Sequence, residues 1–271
     1  VRPKEHYGAL NAVMFSPEDL QLVKGEPALR RRFFDMQIAQ TDAVYYDLLL
    51  KYNRVLLQRN RLLKELRDNG GSAEVLQPWN EEFIRLAAAI VRRRLAALAK
   101  LQAIAGEIYS SITKGSEMLQ VRYEQKANNS ELLYPQSAAQ ATEDFYRDRL
   151  LERQRIDILR GNTGIGPHRD DLQLLLNGLS LRSFGSQGQQ RSGALALKLS
   201  QLQYVKNELG EFPVLLLDDV MSELDNSRRS RLLLFVDGRV QTFITVNDRE
   251  LIPELAGNAY FKISGGCISE A

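Results

Sequence analysis

The stretch Phe212-Pro-Val-Leu-Leu-Leu-Asp-Asp-Val-Met-Ser-Glu-Leu-Asp225 constrains the fold more than any other. Val214 to Leu217 is a short, continuously apolar run, introduced by Pro213 and ended by two carboxylates. Such a run predicts a strand buried on both faces at the centre of a parallel sheet. Asp218 and Asp219 then fall at its C-terminal edge, where open α/β sheets receive their ligands. One carboxylate there can hold Mg²⁺ against nucleotide phosphates, and its neighbour can orient or activate a water. Taken alone, the run equally fits a buried strand ending in a solvated Asp-Asp turn.

A chain of 271 residues can bury a sizeable core and is expected to form two lobes. Its net charge of +2 requires any nucleic-acid surface to be a local patch. The single cysteine, Cys267, excludes an internal disulfide and fits a reducing compartment. With two histidines, a zinc site would need several carboxylates. No apolar run has the length to span a bilayer, so the expectation is a soluble, cytoplasmic protein.

Position 1 is Val, and Tyr7 to Phe15 reads as an interior strand, so the numbering is expected to begin inside a longer protein. Ser16-Pro17-Glu18-Asp19 reads as a capped helix start. From Pro27, apolar residues recur at three- and four-residue intervals until Asn69-Gly70-Gly71, and a second helix is expected over about 80–112. Each would be roughly 50–60 Å long, forming an antiparallel hairpin arm. Arg30, Arg31 and Arg32 on the first, and Arg92, Arg93 and Arg94 on the second, are candidate phosphate contacts for DNA. Three consecutive arginines fan over about 200° of a helix, so they cannot all face one ligand. The competing reading is a solvated face whose aliphatic stems cover apolar surface.

A short strand is expected near Met118–Tyr123, a polar linker at Asn128-Asn129-Ser130, and a helix from about Ser137 to Leu159. Gly166-Pro-His-Arg-Asp-Asp171 leads into an alternating strand, and Asn177-Gly178 signals a hairpin. His168-Arg169-Asp170 lacks the Asp-Phe-Gly and glycine-rich partners of a kinase loop, which excludes that reading. Ser183-Phe-Gly-Ser-Gln-Gly-Gln-Gln-Arg191 then precedes a helical run to Glu208. Its small residues leave backbone amides open to an anion at a helix start.

Ser186-Gln-Gly-Gln-Gln-Arg191, Leu215-Leu-Leu-Asp-Asp219 and Ser222-Glu-Leu-Asp225 resemble, in order and spacing, the signature, Walker B and D-loop of ABC-type ATPases. Together with Gly166-Pro-His-Arg-Asp-Asp-Leu172, Phe15-Ser-Pro-Glu-Asp-Leu20 and Leu29-Arg-Arg-Arg-Phe33, they resemble the RecF family of bacterial recombination mediators over nearly the whole chain. The resemblance implies an α/β ABC-type ATPase head, its mixed sheet flanked by helices, with an inserted all-α arm. The expected divisions are 1–26 (end of the ATPase lobe), 27–115 (hairpin arm), 116–160 (strand and return helices) and 161–271 (ATPase lobe). It also implies an SMC-like protein that dimerises on ATP and binds DNA at gaps or single-/double-strand junctions. With RecO and RecR it would load recombinase in recombinational repair and the SOS response.

By the same resemblance, Asp218 would coordinate Mg²⁺ and Asp219 would act as general base. Ser186, Gly188 and Gln189 would meet the γ-phosphate of ATP held by the other protomer. Ser222 and Asp225 would lie at the dimer interface, and Asn247 or Asp248 near the switch position. One element is missing: no Gly-x-x-x-x-Gly-Lys-Ser/Thr occurs, and Lys114-Gly115-Ser116 lacks the preceding glycine spacing. In the family that Walker A loop precedes the Tyr7 strand. The chain as numbered therefore holds half of an ATP site and is expected to be inactive alone. A DNA- or partner-binding module without catalysis and an SMC-like clamp are the alternative readings.

Overall fold

The computed structural model describes residues 10–127, 130–132, 139–252 and 259–270. At its centre β6 (Val214–Asp218) lies between β1 (Ala12–Phe15) and β7 (Thr242–Thr245), all parallel. The Tyr7 end of the expected first strand and the Asn128-Asn129 linker lie outside the described residues. Among the described residues, only one face of the sheet is closed. Val13, Phe15, Leu215 and Leu217 point into the core, whereas Met14 and Phe243 on the opposite face are 50% and 57% exposed. The register sets Leu216 between them. The expected two-sided burial of β6 is thus corrected: its apolar run is continuous, but helices cover one face.

The covering helix is α7 (Gln187–Leu209), which follows the one-turn α6 (Leu181–Phe184) and whose residues from Gln190 to Val205 are almost all buried. A helix enclosed on every side needs no amphipathic pattern, which is why its sequence reads apolar without a stripe. Lys198 on α7 pairs at 3.3 Å with Asp19, in the short 3₁₀ turn Pro17–Leu20, and lies over the Phe33 ring. A second sheet, antiparallel in the order β3-β2-β4-β5, is built from β2 (Leu119–Ala127), β3 (Ser130–Leu132), β4 (Asp171–Leu176) and β5 (Leu179–Ser180). Asn177 and Gly178 both take positive φ, as the two-residue hairpin requires. β8 (Phe261–Ser264) and β9 (Cys267–Glu270) form an exposed hairpin around Gly265-Gly266.

The helical region departs from the expected two-helix arm in three respects. Its first helix is broken: α1 (Gln21–Lys24) and α2 (Pro27–Thr41) are followed at Asp42 by a new start, α3 (Ala43–Asn69). Asp42 adopts an extended backbone and its carboxylate accepts from Tyr45 N at 3.0 Å, so a capping residue divides a pattern that reads as continuous. Next, α4 (Gln77–Thr113) is one 37-residue helix, about 55 Å long. It packs against α3 in the arm and against α7 and β2 in the body. Finally, α5 (Ala139–Arg160) lies against both α3 and α4, making the arm three-helical. Arm and body share one hydrophobic cluster, from Tyr52 and Phe83 through Leu101 to Leu195 and Leu217. Lys114 and Gly115, both at positive φ, only terminate α4. Among the described residues no helix is long and apolar enough to cross a membrane.

Candidate functional site

The carboxylate edge forms where β6 ends. Asp218 pairs with Thr245 in the parallel register, and its Oδ1 accepts from Thr245 Oγ1 at 2.7 Å. The chain then turns through Asp219 at φ 50, ψ 24, a left-handed conformation that costs about 1–2 kcal/mol for a residue with a Cβ. That turn directs the Asp219 amide to Thr245, at 3.1 Å from its hydroxyl and 3.3 Å from its carbonyl. The Asp219 Oδ1 atom is buried and has no hydrogen-bond partner among the described residues. Strained backbone and an orphaned carboxylate oxygen at one position are features that recur at functional sites.

Sequence reasoning missed Thr245 as the side chain that meets this edge. Parallel pairing of β6 and β7 could have found it, because residues ending adjacent parallel strands are neighbours. Asn247 is exposed. The Asp248 carboxylate accepts from Glu250 N at 2.9 Å and caps a 3₁₀ turn over Arg249–Leu251. Among the described residues, neither switch candidate has a hydrogen bond to the Asp218–Asp219 edge.

The candidate signature segment begins α7. Ser186 Oγ accepts from Gln189 N at 3.2 Å, and Gln189 Oε1 accepts from Ser186 N at 2.7 Å, a reciprocal cap. The other end of the Gln189 amide donates to Glu117 Oε1 at 2.7 Å, and Glu117 also accepts from Tyr109 OH at 2.8 Å. Ser186 itself is exposed, and Phe184 just before it is 72% exposed.

The candidate signature and D-loop segments meet through a residue that the sequence reading passed over, Arg228. Its guanidinium donates to Gly188 O at 3.1 Å and to Ser192 Oγ at 2.8 Å, and it pairs with Asp225. Asp225 caps α9 (Asn226–Val236), accepting from Arg228 N at 2.9 Å. That backbone donor, then the guanidinium, hold the Asp225 carboxyl below its ordinary range. Ser222, on the short α8 (Val220–Glu223), donates to Asp219 O at 2.8 Å, and Arg191 bridges to Glu223.

The candidate DNA arginines do not share one surface. Arg30 is buried and forks onto Asp171, with both contacts at 2.9 Å. Arg94 is buried and forks onto Asp35, while also donating to Tyr123 OH and Pro167 O. These two guanidiniums have no edge left for DNA, which corrects that expectation: burial commits them to internal carboxylates. Arg31 donates to Asp170 O at 2.7 Å and Arg93 pairs with Asp42. Arg92 and Arg32 alone of the six are exposed.

The Gly166–Asp171 loop is what those buried arginines hold. Gly166 sits at φ 132, where an added Cβ would lie 2.6 Å from Tyr52 Oη and 2.7 Å from Phe83 Cζ. His168 Nε2 lies 3.1 Å from Thr163 O, an acceptor, so Nε2 carries the proton and Nδ1 accepts from Tyr52 OH at 2.5 Å. Burial, reinforced by repulsion from Arg169, Arg31 and Arg94, pushes His168 down to about 3, against the Thr163 hydrogen bond.

The native state therefore keeps His168 neutral while an unfolded chain protonates it near pH 6.5. Its contribution is present above pH 6.5 and is lost as pH falls toward 3. In urea melts, the parent's stability advantage over His168→Gln should be largest above pH 6.5 and shrink below it. A gap independent of pH would show that the imidazole titrates alike in both states.

No protein-family model matches the chain. A DNA replication and repair protein RecF from Halothermothrix orenii is 42% identical over 271 residues, covering 99% of this chain and 72% of the relative. Among solved structures, the recombination mediator protein RecF-ATPrS of the RecFOR pathway superposes with a TM-score of 0.88 at 35% identity. The match covers 98% of this chain and 69% of that one. RecF-ATP of the same pathway superposes with a TM-score of 0.85 at the same identity and coverage. The α/β core with its inserted helices is accordingly an ABC-type ATPase head, and the chain belongs to the RecF family of DNA replication and repair proteins.

Proposed function

We propose that this chain supplies the signature, Walker B and D-loop portion of an ATP-dependent, dimerising DNA-binding protein. It would act at gaps or single-/double-strand junctions, with RecO and RecR, to load recombinase in recombinational repair and the SOS response. The observation that carries the nucleotide reading is the carboxylate edge, with Asp219 in a strained turn and its Oδ1 orphaned. Two adjacent carboxylates fit Mg²⁺, which takes one or two protein carboxylates and fills its shell with water and phosphate. Bound there, Mg²⁺ would neutralise charge developing on the phosphates.

Asp218, steadied by Thr245, would hold the ion, and Asp219 would orient or deprotonate the attacking water. Ser186, Gly188 and Gln189 would present the α7 N-terminus to a γ-phosphate across the dimer. Ser222 and Asp225 would lie at that interface, and exposed Phe184 supports a partner close by. Arg92 and Arg93 remain the arm's candidates for DNA phosphates.

The test adds labelled ATP to the chain with and without a fragment bearing a Walker A loop. Binding and turnover should need both pieces. Asp218→Asn should abolish Mg²⁺-dependent binding and turnover. Asp219→Asn should slow hydrolysis by about 10²-fold or more while binding survives. Equal loss of binding in both variants would remove the general-base assignment. ATP binding that never appears, with DNA binding intact, would favour a non-catalytic module.

A further inference from the structure

Two motifs singled out in the sequence, Leu29-Arg-Arg-Arg-Phe33 and Gly166–Asp171, converge on one cavity between α2, α3, α4 and the loop preceding β4. Its volume is about 340 Å³, and Arg31, Arg32, Tyr52, Asn53, Arg94 and His168 are on its wall. The charge of this region is unbalanced. Arg31, Arg32 and Arg94 line it, with Asp35 as the one carboxylate on its wall, which leaves two positive charges.

The carboxylates of Asp35 on the wall and of Asp171 nearby are both committed inside the protein. Asp35 is taken by Arg94 and Tyr45, and Asp171 by Arg30. Arg31 is held over the cavity by Asp170 O, and burial followed by repulsion from Arg94 lowers its proton affinity. Arg32 is exposed and has no hydrogen-bond or ion-pair partner among the described residues. The His168 ring is fixed in position by Tyr52 and Thr163. Crowded guanidiniums on a preorganised wall, with one of them uncommitted, describe a receptor for a compact anion.

We infer that this cavity binds a phosphate group, with Arg32 and the outer edge of Arg31 as its donors. It is separate from the nucleotide edge at Asp218 and Asp219 and stands whether or not ATP binds there. The phosphate can come from a DNA backbone or from a free phosphate compound, and one substitution distinguishes the two. Arg32→Gln removes a single exposed charge without opening a buried partner.

Binding of a short DNA duplex is measured across a salt series, and melting is measured with and without inorganic phosphate or pyrophosphate. For a backbone phosphate, Arg32→Gln should weaken the duplex about tenfold and flatten the slope of log affinity against log salt by about 0.9. For a free phosphate, pyrophosphate should raise the parent's melting temperature and leave the variant's unchanged. Arg61→Gln, an exposed arginine paired with Glu65 elsewhere on α3, is the control of equal charge. Neither effect at Arg32, or an equal effect at Arg61, would overturn the inference.

Discussion

Arg94→Met is expected to destabilise the protein by about 3 kcal/mol or more. The reason is what the guanidinium leaves behind. Asp35 would lose both contacts of its 2.9 Å fork, and Pro167 O would lose its donor at 2.7 Å. Tyr123 OH and Tyr45 OH, at 2.9 and 3.1 Å, would each lose a donor from the same group. The Asp35 side chain is only 20% exposed, so water replaces little of this. Removing the carboxylate as well, in Arg94→Met with Asp35→Leu, should recover part of the loss, because no uncompensated charge remains. Urea melts of the parent, the single and the double variant measure both quantities. By contrast Arg92→Gln, two residues earlier and exposed, should stay within about 0.5 kcal/mol of the parent. An Arg94→Met protein as stable as Arg92→Gln would show that the buried fork is not what joins α4 to α2 and the Gly166 loop.

Ser186→Arg is expected to abolish ATP-dependent association while each protomer still binds its own nucleotide. The serine is exposed at the start of α7, and its hydroxyl makes one local bond, the cap to Gln189 N. Loss of that cap costs the helix about 1 kcal/mol, too little to unfold a protein of this size. An arginine there would place its bulk where an incoming γ-phosphate must approach the α7 amides. The loss of those charge-assisted bonds is worth about 3 kcal/mol, a hundredfold in association. Hydrolysis would fail as a consequence, since the composite site would never close. The measurement is sedimentation with and without ATP, on this chain combined with a Walker A-bearing segment. A variant that still dimerises on ATP would place Ser186 away from the interface and end the composite-site reading.

Local order made much of this molecule legible in its sequence. Val214–Leu217, a short apolar run between Pro213 and two carboxylates, specified a strand, and Asp218 and Asp219 had to follow at its edge. Asn177-Gly178 specified its hairpin because both residues tolerate positive φ. Ser186 and Gln189, three apart at a helix start, specified a reciprocal cap. The order of the motifs identified the family as well, since that order is a property of the chain itself.

Relations between distant segments were not legible. Which of six arginines meet solvent depends on where Asp35 and Asp171 arrive, 59 and 141 residues away in sequence from the guanidiniums they fork. Asp42 divides what periodicity reads as one helix, because a cap acts through an extended backbone that spacing of apolar residues does not record. Thr245 reaches Asp218, and Arg228 reaches Gly188, across gaps of 27 and 40 residues that only strand pairing and helix docking close. The sequence by itself determined the strand, the caps, the hairpin and the kind of chemistry the carboxylate edge can support. Tertiary structure alone decided which charges are spent inside the protein and which are left to meet a ligand. Burial and Coulomb interaction depend on distance in space, and local sequence patterns do not encode distance.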